Sequence, residues 1–208
     1  MNNLVKQFIS QTVRKGGVNN KRILEIGSFD TNGSPREIIE PYGPKEYIGL
    51  DVNPGKGVDV VCDAVEYANS ITDKFDGVIC CDMLEHADKW WETIETIPTL
   101  LKNGGWGLFT SVSPGYPLHL YDDDNWRFGV EDFWCFFGCF VSEVTTPKEY
   151  IGVYVNEQKF VGSYFVFDDS IFKKRKKIFD RIMKNRAVYN MTTGKRTTPK
   201  EWMDILNG

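Results

Sequence analysis

The chain has 208 residues, 41 % of them hydrophobic and 14 % aromatic, with a formal charge of −4. That length supports one sizeable domain with its own core, and no run of 18 apolar residues provides a membrane span. Five cysteines, two of them inside apolar strand-like runs, read as reduced thiols of a cytoplasmic protein rather than as a disulfide framework.

The N-terminal stretch MNNLVKQFISQTVRKGG carries Lys6 in its apolar part and lacks a small-residue cleavage site, so no signal peptide is expected. From residue 21 onward, apolar runs alternate with turn signals and helical patterns. Lys21–Gly27 reads as a strand, and Ser34-Pro35 then opens a helix that ends by Pro41. Glu46–Asp51, Val58–Cys62 and Phe75–Cys81 are the next strands. Trp90–Lys102 reads as a helix stopped by Gly104-Gly105, and Trp106–Val112 as a fifth strand. Residues 113–130 are too polar and too rich in Pro and Gly for a core element, which favours a functional loop. A short helix over Glu131–Phe137 follows, then strands at Phe140–Val144, Tyr150–Val155 and Gly162–Phe167, the last two forming a hairpin. Ile171 to about Tyr189 has helical apolar spacing.

The rhythm predicts an α/β fold: a Rossmann-like, doubly wound, seven-stranded and mostly parallel sheet with an antiparallel C-terminal hairpin. Residues 1–170 form the main domain in this reading, and 171–208 a basic C-terminal helix and tail. Residues 171–200 hold eleven Lys or Arg against one acid, Asp180, so an acidic body carries a basic end. Cys135 and Cys139 stand four apart without a matching Cys or His pair, and no metal is expected.

In such a sheet ligands bind beyond the carboxyl ends of the strands, where strand order reverses. Polar residues gather at those ends: Gly27, Ser28 and Asp30 after the first strand, Asp51 after the second, Asp63 after the third and Asp82 after the fourth. Asp51 suits a pair of ribose hydroxyls, which leaves nicotinamide dinucleotides open. The turn LEIGSFDTNGS lacks the G-x-G-x-x-G spacing that a pyrophosphate needs, and Glu25 and Asp30 would repel one. Those carboxylates suit the ammonium of S-adenosylmethionine, a cofactor with net positive charge.

LEIGSFDTNGS, YIGLDVNPGKGVDVVCDA, FDGVICCDMLEHADKW, LKNGGWGLFTSVSPGYPLH and DNWRF lie in order across roughly residues 21–130. With these stretches the chain resembles the class I S-adenosylmethionine-dependent methyltransferases, specifically the small single-domain, type 11-like subgroup. The resemblance implies that Glu25, Gly27 and Ser28 face the methionine portion of the cofactor, with Asp30 and Asn32 in the same loop. It implies Asp51 on the ribose, Val52 packed on the adenine, Asp63 and Ala64 at the adenine edge, and Cys81, Asp82 and Leu84 lining the cofactor. The family's usual alternating glycines are replaced here by the bulkier Ser28–Asn32.

Only two histidines exist, His86 and His119, and both fall where the sheet should be topped, so both are candidate bases. His119 sits with Tyr116, Tyr121 and Asp124 in the 113–130 loop, which is expected to contact the acceptor. Trp126-Arg127-Phe128 reads as an aromatic plug, with Arg127 paired to an acid such as Glu85. The expected activity is transfer of a methyl group to an oxygen or nitrogen of a small-molecule or saccharide acceptor. Alternatives are a nucleic-acid or protein methyltransferase using the basic tail, a silent cofactor-binding subunit, and more distantly a nicotinamide dehydrogenase. The Asn/Asp-Pro-Pro-Tyr/Phe and Pro-Cys signatures of DNA methylation are missing. The oligomeric state is not legible.

Overall fold

The computed structural model describes residues 3–118, 123–141, 152–156 and 160–208. The central strand β1 (Arg22–Ile26) pairs in parallel with β2 (Glu46–Asp51) on one side and with β4 (Phe75–Cys81) on the other. β3 (Val60–Val61) extends the sheet beyond β2, and β5 (Leu101–Val112) extends it beyond β4, both in parallel. β8 (Phe160–Val166) then runs antiparallel to β5, and β7 (Gly152–Asn156) antiparallel to β8. Among the described residues the sheet is therefore seven-stranded, in the order β3-β2-β1-β4-β5-β8-β7. Strand order reverses between β1 and β4, which fixes where a cleft opens.

Both faces are covered, as buried parallel strands require. On one face α1 (Asn3–Thr12), α2 (Lys15–Val18) and α3 (Arg36–Ile39) bring Phe8, Val18 and Ile39 against Ile23, Ile79 and Leu108. On the other face, α4 (Ala64–Ser70), α5 (Trp90–Glu95), α6 (Ile97–Leu100) and α7 (Val130–Phe137) bury Leu24, Val78 and Phe109. Neighbouring strand residues thus go to opposite cores, the two-residue period of a pleat.

The C-terminal part is joined to this second core by its own apolar stripe. α8 (Asp169–Asn185) starts two residues before the expected Ile171, because Asp168 caps it by accepting from the amides of Ser170 and Ile171. It stops at Asn185 rather than Tyr189, and its Phe172, Phe179 and Met183 are buried. The chain then forms β9 (Val188–Asn190) and β10 (Lys195–Thr197). These make a small antiparallel sheet with β6 (Trp126–Arg127). α9 (Pro199–Leu206) closes the chain behind a capping box of Thr198 and Glu201, and its Trp202 meets Trp126 edge to face at 5.4 Å.

Other departures from the sequence reading have local causes. The Trp90–Lys102 helix is two helices, since Pro98 has no N–H to give to Ile94, and β5 begins already at Leu101. The helix after Ser34-Pro35 is a single turn that tightens to a 3₁₀ turn at Glu40–Tyr42. Phe140, expected to open a strand, instead ends a 3₁₀ turn over Gly138–Phe140, and that strand from residue 142 lies outside the described residues. α1, α4, β6, β9, β10 and α9 were not anticipated. Among the described residues no helix is long and apolar enough to cross a membrane.

Candidate active site

A cleft of about 260 Å³ opens at the carboxyl ends of β1 and β4. Its floor is the turn after β1. Gly27 has φ of +78°, and a Cβ there would run into the Met83 side chain, so glycine is required on both counts. The Gly27 and Ser28 amides both donate to the Leu50 carbonyl, at 2.8 and 3.1 Å, and the Phe29 amide donates to Asp51 Oδ2 at 3.1 Å. The first loop is thus tied to the end of β2. Residues 53–57 press on it from outside: Asp30 accepts from the Gly33 amide at 2.6 Å and pairs with Lys56 at 2.6 Å. The Lys56 contact holds the Asp30 carboxyl below its usual range. The Phe29 ring packs over Gly55, where a Cβ would collide with it.

Two buried carboxyls face this cleft. Glu25, 2 % exposed, accepts from Tyr47 Oη at 2.7 Å and from Ser34 Oγ at 3.2 Å. Burial pushes it up to about 7, against those hydrogen bonds, which favour the charged form. Glu85, 1 % exposed, accepts from Ser111 Oγ at 2.7 Å on β5. Burial first, and then the neighbouring Asp82, push it to about 8. Asp82 has φ of +51°, sparsely populated for a residue with a side chain; its amide donates to the Thr110 carbonyl and its Oδ1 accepts from Thr110 Oγ1 at 2.8 Å. None of the described residues lining the cleft is Lys or Arg.

The far wall is set by an ion pair. Arg127 and Asp124 are fully buried and joined twice, at 2.6 and 2.7 Å. Arg127 also donates to the carbonyls of Tyr116 at 3.1 Å and Pro117 at 3.0 Å. Glu85 contributes through its backbone, its carbonyl accepting from Asn125 and Trp126. The expected Arg127–Glu85 pair is corrected on this point: Asp124 is the partner.

The cleft thus brings together Glu25, Gly27 and Ser28 with Asp30 and Asn32 from the first loop, and Cys81, Asp82, His86 and Tyr116 from the other side. His86 Nδ1 stands 3.2 Å from Asp123 Oδ1. Asp30 lines the cleft but spends its carboxylate on the turn. Asp51, Val52, Asp63 and Ala64 are not among the residues that line the cleft; both Asp51 oxygens take amides, from Phe29 and Asn53. Val52 is 62 % exposed beside it. Asp63 accepts from the Val65 amide as the cap of α4, with Ala64 buried behind it. Leu84, fully buried in the second core, and Asp124, paired with Arg127, are not among the residues that line the cleft. His119 and Tyr121 lie outside the described residues. Glu85, Ser34 and Tyr47 were missed as site residues, although Glu85 adjoins His86 in the same LEHADKW stretch.

The chemistry of the lining bears on the cofactor that the sequence suggests. The Ser28 hydroxyl is buried without a hydrogen-bond partner, the exposed Phe29 offers apolar surface in the lining, and the lining is acidic. A cationic amino-acid nucleoside fits these groups and a pyrophosphate does not. Among the described residues no group of three or more His, Cys, Asp or Glu is arranged to hold a metal ion.

A family model described as a methyltransferase domain matches residues 1–144. The chain belongs to this methyltransferase family and has the Rossmann-like fold of the S-adenosylmethionine-dependent methyltransferases. Among solved structures it is similar to the N-methyltransferase NodS from Bradyrhizobium japonicum WM9 in complex with S-adenosyl-L-homocysteine. That match has 16 % identity, covers 80 % of this chain and 88 % of that one, and has a TM-score of 0.56. It is also similar to the 1,6-didemethyltoxoflavin-N1-methyltransferase of Burkholderia thailandensis, at 12 % identity, 80 % and 78 % coverage, and a TM-score of 0.56. A third is the magnesium protoporphyrin IX methyltransferase of Synechocystis PCC 6803, at 14 % identity, 79 % and 78 % coverage, and a TM-score of 0.54. No curated protein sequence matches the chain significantly.

Proposed function

We propose that this chain transfers the methyl group of S-adenosylmethionine to an oxygen or nitrogen of a small-molecule or sugar-like acceptor held in the β1/β4 cleft. The observation that carries the reading is an acidic cleft at the strand-order reversal, with two buried carboxyls and no Lys or Arg among its described lining residues. When bound, the cofactor supplies an electrophilic methyl group on a positively charged sulfur. Glu25, Gly27 and Ser28 hold its amino-acid end, Glu25 as the charge partner of the ammonium. Asp51 takes the ribose hydroxyls, using acceptor capacity that its two amide contacts leave over. Val52 and Phe29 cover the adenine, with Asp63 and Ala64 at its edge, and Cys81 and Asp82 close the site from β4.

Tyr116 and His86 face the acceptor side, where alignment of the reacting atoms supplies much of the acceleration. The solved structures with this fold include enzymes whose acceptors are 1,6-didemethyltoxoflavin and magnesium protoporphyrin IX. The basic C-terminal segment gives little support to a nucleic-acid substrate. Lys173, Lys176 and Lys200 pair with acids one turn away, Arg186 and Arg196 with the buried Asp132, and Arg175 donates to the Gly138 and Val141 carbonyls.

Calorimetry with S-adenosylhomocysteine tests the cofactor assignment. Binding at micromolar strength, with no heat from NAD, is expected; the reverse overturns it. Asp51→Ala should weaken that binding on the order of 10²-fold, the loss of charge-assisted hydrogen bonds. Labelled cofactor with a panel of small amines and alcohols, RNA and peptide then separates a small-molecule enzyme from a polymer enzyme or a silent subunit.

A further inference from the structure

We infer that the acceptor is an amine, which enters the cleft as an ammonium ion and gives its proton to Glu85. The inference rests on the methyltransferase reading above and narrows its acceptor.

Glu85 is a buried carboxyl with a fixed backbone and one hydroxyl partner, Ser111, yet no Lys or Arg of the described chain pairs with it. The nearest buried guanidinium, Arg127, is taken by Asp124. A carboxyl withdrawn from water without a counterion is held neutral or waits for a cation; its push to about 8 reflects that state. Since no Lys or Arg among the described residues supplies that charge, we assign it to a ligand.

The cofactor's ammonium does not serve both acids. Glu25 stands on β1, with its hydroxyl partners on β2 and before α3. Glu85 is held over β5, two strand spacings away, or about 10 Å. The cleft therefore has two acidic poles, one beside the first loop and one beside Tyr116. With the first occupied by the cofactor's amino-acid end, the second faces the acceptor. A hydroxyl acceptor brings no charge to that pole, and a phosphate or carboxylate brings the wrong sign.

The chemistry balances. An N–H bond of the ammonium breaks and its proton passes to a Glu85 oxygen. The freed lone pair forms the new C–N bond as the methyl–sulfur bond breaks, with that electron pair staying on sulfur. The product leaves as a methylammonium ion, the sulfonium becomes a neutral thioether, and Glu85 returns its proton to water.

The test uses matched probes, glucosamine with glucose and benzylamine with benzyl alcohol, on the full chain and on Glu85→Gln. Calorimetry on protein loaded with S-adenosylhomocysteine should show an amine binding and its alcohol partner not. Labelled cofactor should methylate that amine, and Glu85→Gln should lower kcat/KM on the order of 10²-fold or more and remove the rise of rate with pH. At pH 6, where Glu85 is protonated in the empty protein, the variant's thermal midpoint and its S-adenosylhomocysteine affinity should stay near those of the parent, which excludes misfolding. Preferential methylation of alcohols, a Glu85→Gln variant at parental rate, or a loaded protein that binds none of the amines overturns the inference. A parent that fails to bind S-adenosylhomocysteine at all sinks the cofactor reading instead.

Discussion

The raised Glu25 carboxyl makes cofactor affinity depend on pH in a calculable way. In the empty cleft burial holds the group at about 7, against an ordinary 4.5. A bound ammonium favours the charged form and draws it back toward the ordinary value. At pH 8 the carboxyl is already ionised and binding exchanges no proton through it. At pH 5.5 it is protonated and must release a proton before the ammonium can pair. Linkage between values of about 7 and 4.5 weakens binding roughly 25-fold from pH 8 to pH 5.5, about 2 kcal/mol. Calorimetry with S-adenosylhomocysteine at those two pH values measures the change. At pH 6, two buffers of different ionisation enthalpy should report close to one proton released per molecule bound. Glu25→Gln should bind more weakly and lose most of the slope. An affinity flat across this range in the parent, or an undiminished slope in Glu25→Gln, refutes the reasoning.

Three further outcomes follow from the same geometry. Glu85 is raised from 4.5 to about 8, so the folded chain keeps a proton that the unfolded chain gives up, and its contribution to stability is lost as pH rises from 4.5 through about 8. Between pH 6 and 8 this is at most about 2 kcal/mol; thermal melts should show a shallower pH slope for Glu85→Gln, and equal slopes contradict the assignment. Asp124→Asn leaves the Arg127 guanidinium buried without a counterion and should cost about 3–5 kcal/mol in urea unfolding. A double change, Asp124→Leu with Arg127→Met, should recover much of that stability without restoring the brace on the Tyr116 and Pro117 carbonyls. Trp202→Ala should cost about 3–5 kcal/mol and, by loosening β6, raise the acceptor KM more than the Kd of S-adenosylhomocysteine; the opposite order would separate the C-terminal sheet from the acceptor wall.

The parallel half of the sheet was legible because its strands are buried on both faces and read as continuous apolar runs with turn residues between them. Glu46–Asp51 and Phe75–Cys81 coincide with β2 and β4. What escaped the sequence was decided by tertiary pairing. β6 is two residues, Trp126 and Arg127, extended because it pairs with β9, which is three residues and pairs in turn with β10. The Asp124–Arg127 pair is another case, since spacing suggests a salt bridge but not which acid fills it. The first loop shows the limit most clearly. Asp30 has the right sign for a cationic ligand, yet Lys56 and the Gly33 amide, brought in by a neighbouring loop, commit it to the turn.

The same distinction separates acids that build the site from acids that serve it. Asp30, Asp59, Asp76 and Asp132 each meet a Lys or Arg of the chain, and Asp63 and Asp168 meet helix amides. Glu25 and Glu85 are more deeply buried than Asp30 or Asp59, and among the described residues their side-chain hydrogen-bond partners are hydroxyls. Hydroxyls orient a carboxylate without cancelling its charge, so burial leaves both groups raised rather than lowered. A fold that needed these residues only for packing would do better with neutral side chains of the same shape. Their destabilising ionisation in the empty protein is relieved by a positively charged ligand, so cationic ligands should raise the thermal midpoint more at pH 8 than at pH 6, and the gain should shrink in Glu25→Gln for the cofactor product and in Glu85→Gln for the amine.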